Sequence, residues 1–225
     1  MTTSLVASEF VSELVADQPS SIDMMIGIGL VKDTDAVYFQ YLGEEQPPTA
    51  LMLPSGKPCT RLPHVTLTGI EIAENIGEFN STKLNVFITS NAGRTVLLTS
   101  GLQTHWSQAI ITGLMGALGE YSLNAPMHID TYKGTSKMRP CFASINQGPT
   151  KMSDTVTYEA LRDARSDRDQ KLVERIMRDS VAVLQAALGI EHTSVADVTD
   201  VVTESGEATE ERWLDGEESV AETEF

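Results

Sequence analysis

Hydrophobic and polar residues alternate in two stretches of this chain, residues 64–73 and 83–89, and a two-residue period marks a half-buried strand. In the first, Val65, Leu67, Ile70 and Ile72 oppose Thr66, Thr68 and Glu71; in the second, Leu84, Val86 and Ile88 oppose Lys83, Asn85 and Phe87. Ser90-Asn91-Ala92-Gly93 has the composition of a turn, and residues 94–99 read as the returning strand of a hairpin. The period then changes. Trp106, Ile110, Leu114 and Leu118 recur every four residues, with Thr104 placed to cap the start of a helix and Gly119 to stop it. Residues 126–132 and 139–146 form a second hairpin around Gly134-Thr135-Ser136. Upstream, Val6, Phe10, Val11 and Leu14 predict a short amphipathic helix over 4–16 that Pro19 ends, and the apolar runs 24–31, 36–42 and 50–53 predict short strands. Downstream, Leu161, Ala164, Leu172, Ile176, Val183 or Leu184, and Ala187 or Leu188 form an imperfect apolar stripe on one long helix over 158–188, interrupted near Arg168, and such a stripe needs a partner.

These elements divide the chain into an N-terminal helix and β extension (1–60), a core (61–152), a C-terminal helix (153–190) and a tail (191–225). Three strands, a helix and two strands is the element order of the OB barrel. The expected fold class is therefore mainly β (α+β): an OB-like five-stranded barrel with an N-terminal β extension, followed by a long helix and a disordered acidic tail. A generic β-sandwich or α+β domain is the alternative.

Composition narrows the function classes. The chain has 225 residues, 41% of them hydrophobic, enough for one sizeable core. No run approaches the eighteen or so apolar residues of a membrane helix. Glu9, Glu13 and Asp17 precede the first base, Lys32, the reverse of a secretory or mitochondrial leader, and Cys59 and Cys141 read as reduced thiols. A cytoplasmic location is expected. The net charge of −16 is unevenly spread: residues 191–225 carry twelve acids against the single base Arg212, a net −11. Between Asp130 and Asp154 no acid occurs, while Lys133, Lys137, Arg139 and Lys151 do. A locally basic stripe survives in an acidic protein.

Alternation assigns faces to the strands, because side chains change side at every residue. With Leu84, Val86 and Ile88 inward, Lys83, Asn85 and Phe87 face out. With Met127 and Ile129 inward, His128, Asp130 and Tyr132 face out; with Cys141, Ala143 and Ile145 inward, Phe142, Ser144 and Asn146 face out. Unpaired bases stack on aromatic rings and phosphates need cations, so Phe87, Tyr132 and Phe142 are candidate stacking residues. Lys83, Arg94, Lys133, Lys137, Arg139 and Lys151 are candidate phosphate contacts.

The tail, poor in large apolar groups, cannot offset its ordering entropy. It ends Asp-Gly-Glu-Glu-Ser-Val-Ala-Glu-Thr-Glu-Phe, a lone aromatic and the α-carboxylate closing a negative polymer. This architecture resembles that of bacterial and phage single-stranded DNA-binding proteins, in which an OB body is followed by an acidic tail whose terminal Phe docks into a basic-rimmed hydrophobic pocket on replication and repair partners. The resemblance rests on Glu217, Glu218, Glu222, Glu224 and Phe225 and on the element order. It implies Glu222, Glu224 and Phe225 as partner-binding residues. The tail departs from the family in lacking an Asp-rich, Pro-Phe ending and in carrying Trp213 and Leu214.

Signals for catalysis are weak. Cys59, His64, His128 and Cys141 do not have the spacing of a zinc site, Gly27-Ile28-Gly29 lacks the third glycine of a dinucleotide fingerprint, and no P-loop, Gly-x-Ser-x-Gly or His-Glu-x-x-His motif is present. The sequence therefore leads to a non-enzymatic, phage-like single-stranded DNA-binding protein without cofactor or metal, coating strands in replication or recombination. Its tail would recruit replication or repair proteins and compete with DNA for the body. No membrane partner is expected, and the long helix is a candidate homodimer contact. The alternative is an assembly protein that oligomerises through that helix and binds no nucleic acid; an enzyme with a pocket hidden from the sequence is a third.

Overall fold

The computed structural model describes residues 22–29, 35–40, 47–76, 80–135 and 139–190. The helix expected over 4–16 and the tail 191–225 lie outside the described residues. Among the described residues nine strands and three helices follow one another: β1 (Met24–Ile28), β2 (Tyr38–Gln40), β3 (Thr49–Ala50), β4 (Arg61–Ile76), β5 (Ser81–Thr89), β6 (Thr95–Gly101), α1 (His105–Glu120), β7 (Met127–Lys133), β8 (Cys141–Gln147), β9 (Thr150–Met152), α2 (Thr155–Ser166) and α3 (Gln170–Leu188). All belong to one compact unit. The fold is mixed, with a large β component, and no described helix is long and apolar enough to cross a membrane.

The strands form a single sheet in the order β3-β2-β1-β6-β5-β4-β7-β8-β9. The hairpins β5–β6 and β7–β8 are in the expected places, with Val86 opposite Leu98 and Tyr132 opposite Phe142. β4 is the pivot. Its first residues pair with β7 (Leu62 opposite Ile129) and its remainder with β5 (Ile70 opposite Val86). Each ladder carries a register shift, between Leu62 and Val65 in the first, with His64 at φ 51°, and between Leu67 and Gly69 in the second. Bulges of this kind bend a strand and increase its twist, which lets one strand serve both halves of the sheet. Past Val65 the edge that β7 has left is met by α3, where Gln185 Nε2 donates to the Ile70 carbonyl at 2.9 Å. The backbone group therefore keeps a partner.

A closed five-stranded barrel is not what these strands make. The contiguous set β6-β5-β4-β7-β8 carries α1 between its third and fourth strands in sequence, but among the described residues β6 does not pair with β8. β1 takes the free edge of β6 in parallel, with Met24 opposite Val96 and Ile26 opposite Leu98, and β9 takes the free edge of β8. α1 packs against β8, with Ile145 filling the space over Gly113. The sheet still curls far enough for β2 to meet β7 across the four strands between them: Tyr38 Oη lies 2.6 Å from Thr131 Oγ1, which also accepts from Trp106 Nε1 at 2.9 Å.

α1 is buried on nearly every side, and its sequence provides for that. Trp106, Ile110, Ile111, Leu114 and Ala117 are buried together with Ser107, Gln108 and Thr112, and the polar groups are satisfied locally. Thr104 caps the helix by accepting from the Ser107 amide, Ser107 Oγ donates to the Gly101 carbonyl at 2.8 Å and Thr112 Oγ1 to the Gln108 carbonyl at 2.8 Å.

The long helix expected over 158–188 is two helices. Arg168 takes a left-handed conformation, φ 56°, between α2 and α3, and Asp169 starts the second helix by accepting from the Leu172 amide. The break falls where the apolar stripe falters. Leu161 and Ala164 of α2, and Val173, Met177, Val181 and Leu184 of α3, are all buried in the same core. One straight helix would carry part of this stripe away from α1 and β4.

Candidate functional site

The alternation fixes which side chains leave the core. Leu84, Val86, Ile88, Met127, Ile129, Ala143 and Ile145 are buried, and Lys83, Asn85, Phe87, His128, Asp130, Tyr132, Phe142, Ser144 and Asn146 lie outside that set, as expected. Cys141, expected inward, is half-buried at the mouth of the hairpin, where burial raises its thiol above the ordinary range.

Opposition across β7 and β8 places Tyr132 against Phe142, with ring centroids 5.9 Å apart and planes inclined by 19°. Tyr132 is 48% exposed. Gly134 follows because a side chain there would put its Cβ 2.8 Å from Phe142 Cε2. Phe142 in turn packs on His105, the first residue of α1, with centroids 4.9 Å apart. Arg165 of α2 donates to the His105 ring, its Nη1 lying against Nδ1 and 3.1 Å from Nε2, and its Nη2 donates to the Gln103 carbonyl at 3.3 Å. An unbroken series of Tyr132, Phe142, His105 and Arg165 thus crosses from the second hairpin to the helices.

The basic residues expected around these rings are differently engaged. Lys133 is ion-paired with Asp35, whose carboxyl is held below its ordinary range by the hydrogen bond and charge of Lys133, with a smaller pull from Arg139. Arg139 is exposed, at φ 44° on the way into β8. Lys137 lies outside the described residues. Lys151 is exposed on β9 opposite Asn146. Asp130, between these rows, accepts from Arg61 Nη2 at 3.1 Å and from Asn146 Nδ2 at 3.0 Å.

Three expected members stand elsewhere on the sheet. Phe87 lies flat against Gly69, whose added Cβ would be 3.2 Å from its ring, and Gly69 is nine residues along β4 from Thr60, which accepts from the Thr131 amide. At ~3.3 Å per residue that is about 30 Å of strand. Lys83 is half-buried further along β5, opposite Ala73 and Gly101, and Arg94 sits at the turn between β5 and β6. The single outer patch expected from the sequence is therefore two patches. Tyr132 and Phe142 share one; Lys133, the next residue and so on the other side of β7, meets Asp35, which also feels the charge of Arg139, and Phe87 and Lys83 belong to the other half of the sheet. Glu222, Glu224 and Phe225 lie outside the described residues.

Sequence reasoning missed His105 and Arg165. Their sequence separation of sixty residues leaves no local signal. Partial burial first and the Arg165 charge second lower the His105 pKa, which favours the neutral ring that can accept from Arg165. His64 and His128 also touch, their centroids 4.5 Å apart, but among the described residues no group of three His, Cys, Asp or Glu is placed to hold a metal ion. Comparison with protein-family models, with curated proteins and with solved structures found no match.

Proposed function

We propose that this protein binds single-stranded DNA, in the cytoplasm and without catalysis, on the outer face of β7 and β8. The observation that carries the proposal is the Tyr132–Phe142 pair: two stacked rings on an open strand face, next to a hairpin whose residues 131–140 include three bases and no acid. A base stacked on such a platform contributes about 1 to 3 kcal/mol. The strand order β6-β5-β4-β7-β8, with α1 inserted, supports an OB-like body held open, with β1 in the place of the closing strand.

The assembly alternative relied on an uncovered helical stripe, and the stripe of α2 and α3 is turned into the core. In the proposed working cycle the acidic tail competes with DNA for the basic hairpin and recruits replication or repair proteins through Glu222, Glu224 and Phe225. An intramolecular polyanion acts at high effective concentration, so its removal tightens DNA binding.

Anisotropy titration of labelled oligo-dT, using the full chain and a truncation after Leu188, tests this. Binding should weaken with salt, by about 0.7 in log–log slope per phosphate contacted, and should tighten on truncation. Tyr132→Ala and Phe142→Ala should each lose about tenfold in affinity, within the range for one lost stacking contact. Absence of binding by both forms at low salt would end the proposal.

A further inference from the structure

The cations around the ring pair differ in what neutralises them. Arg61 is paired with Asp130, and Lys133 with Asp35. Elsewhere on the helices Arg162 is paired with Asp163, and Arg178 with Glu74 and Glu174. Arg165 has no carboxylate partner among the described residues: its guanidinium is held by the His105 ring and the Gln103 carbonyl, both neutral acceptors. Neighbouring carboxylates are used otherwise. Asp169 caps α3, and Glu174 accepts from Arg178 and from Gln103 Nε2.

Partial burial of Arg165 disfavours its charged form. A partly desolvated guanidinium with only neutral partners is an unfavourable arrangement in the free protein, and an anion would relieve it. Its location says which anion. Arg165 touches His105, His105 packs on Phe142 and Phe142 stacks on Tyr132, so the charge stands at the end of a row of rings suited to bases. Guanidinium groups bind phosphate through paired N–H donors.

We infer that Arg165, aimed by His105 and the Gln103 carbonyl, grips a backbone phosphate of the single strand whose bases stack on Tyr132 and Phe142. The inference rests on the reading of that face as a single-strand site, and it adds α2 to the surface the strand crosses. Arg165 is a binding residue; His105 positions it.

The test compares oligo-dT affinity between about 50 and 200 mM salt for the full chain and its Arg165→Gln, Arg165→Lys, Arg162→Gln and Tyr132→Ala variants. Arg165→Gln should weaken binding severalfold and reduce the log–log salt slope by about 0.7, one phosphate contact. Arg165→Lys, which keeps the charge but not the fork, should retain the slope. Arg162→Gln, which removes an exposed guanidinium paired with Asp163, should bind as the parent does. If Tyr132→Ala weakens binding while Arg165→Gln does not, the Arg165 contact is refuted and the ring face stands. If Arg165→Gln weakens binding with the slope unchanged, Arg165 acts only by holding His105, and its phosphate role is refuted. If neither variant changes affinity, the ring face fails and this inference fails with it.

Discussion

Thr131 shows how a single hydroxyl can join distant parts of the chain. Its Oγ1 accepts from Trp106 of α1 and meets the Tyr38 hydroxyl of β2, and all three residues are buried. Burial pushes the Tyr38 phenol far above its ordinary range, so it stays neutral and usable as a donor. Thr131→Val keeps the shape and strands two buried polar groups, which should cost about 2 to 4 kcal/mol in urea unfolding. A loss below about 1 kcal/mol would mean that the three groups are not joined in solution. His105 gives a second expectation at this scale. Its pKa is lowered from 6.5 by burial first and the Arg165 charge second, so the unfolded chain takes up a proton that the folded one resists. The stabilisation is complete above the unfolded value and is lost as pH falls through and below about 6.5. Between about pH 7.5 and 5.5 the parent should therefore lose more of its thermal midpoint than His105→Gln; equal losses would contradict the lowered His105 pKa. At the residue scale the inward and outward sets of β5, β7 and β8 were legible, because alternation is local. The Lys133–Asp35 and Arg165–His105 pairs were not, because nothing in a strand's own pattern names a partner sixty or more residues away.

Among the elements, both hairpins and α1 follow from period and turn composition, and the Thr104 cap forms as read. Two features departed from the pattern. β9, Thr-Lys-Met, has no apolar period and exists because β8 offers an edge. The long helix breaks at Arg168, where helical continuity competes with burial of both half-stripes and burial prevails. A non-glycine residue at positive φ is strained by roughly 1 kcal/mol, so Arg168→Gly should stabilise the fold by about that amount in chemical denaturation. In a continuous helix the same change would destabilise by about 1 kcal/mol, so the sign of the effect separates the two arrangements.

At the scale of the whole molecule, the order of five strands and a helix was legible while their closure was not. Which strand pairs with β6 is decided by competition for one edge, and β1, from an extension that read only as a short apolar run, occupies it. That choice also divides the expected aromatic surface, leaving Phe87 on one half of the sheet and Tyr132 with Phe142 on the other. The candidate site contracts to the second hairpin and extends onto helices that the sequence treated as a separate appendage. Net charge is read at the same scale: −16 for the chain conceals a hairpin region without acids, so bulk acidity does not exclude an anionic ligand there.

The most direct measurement is ultraviolet cross-linking of the full chain to oligo-dT, with the adducts located by mass spectrometry. Thymine stacked on the proposed face should leave its adducts at Tyr132 and Phe142. Adducts confined to other segments, Phe87 included, or a protein that does not cross-link at low salt, would contradict the placement of a single-strand site on β7 and β8.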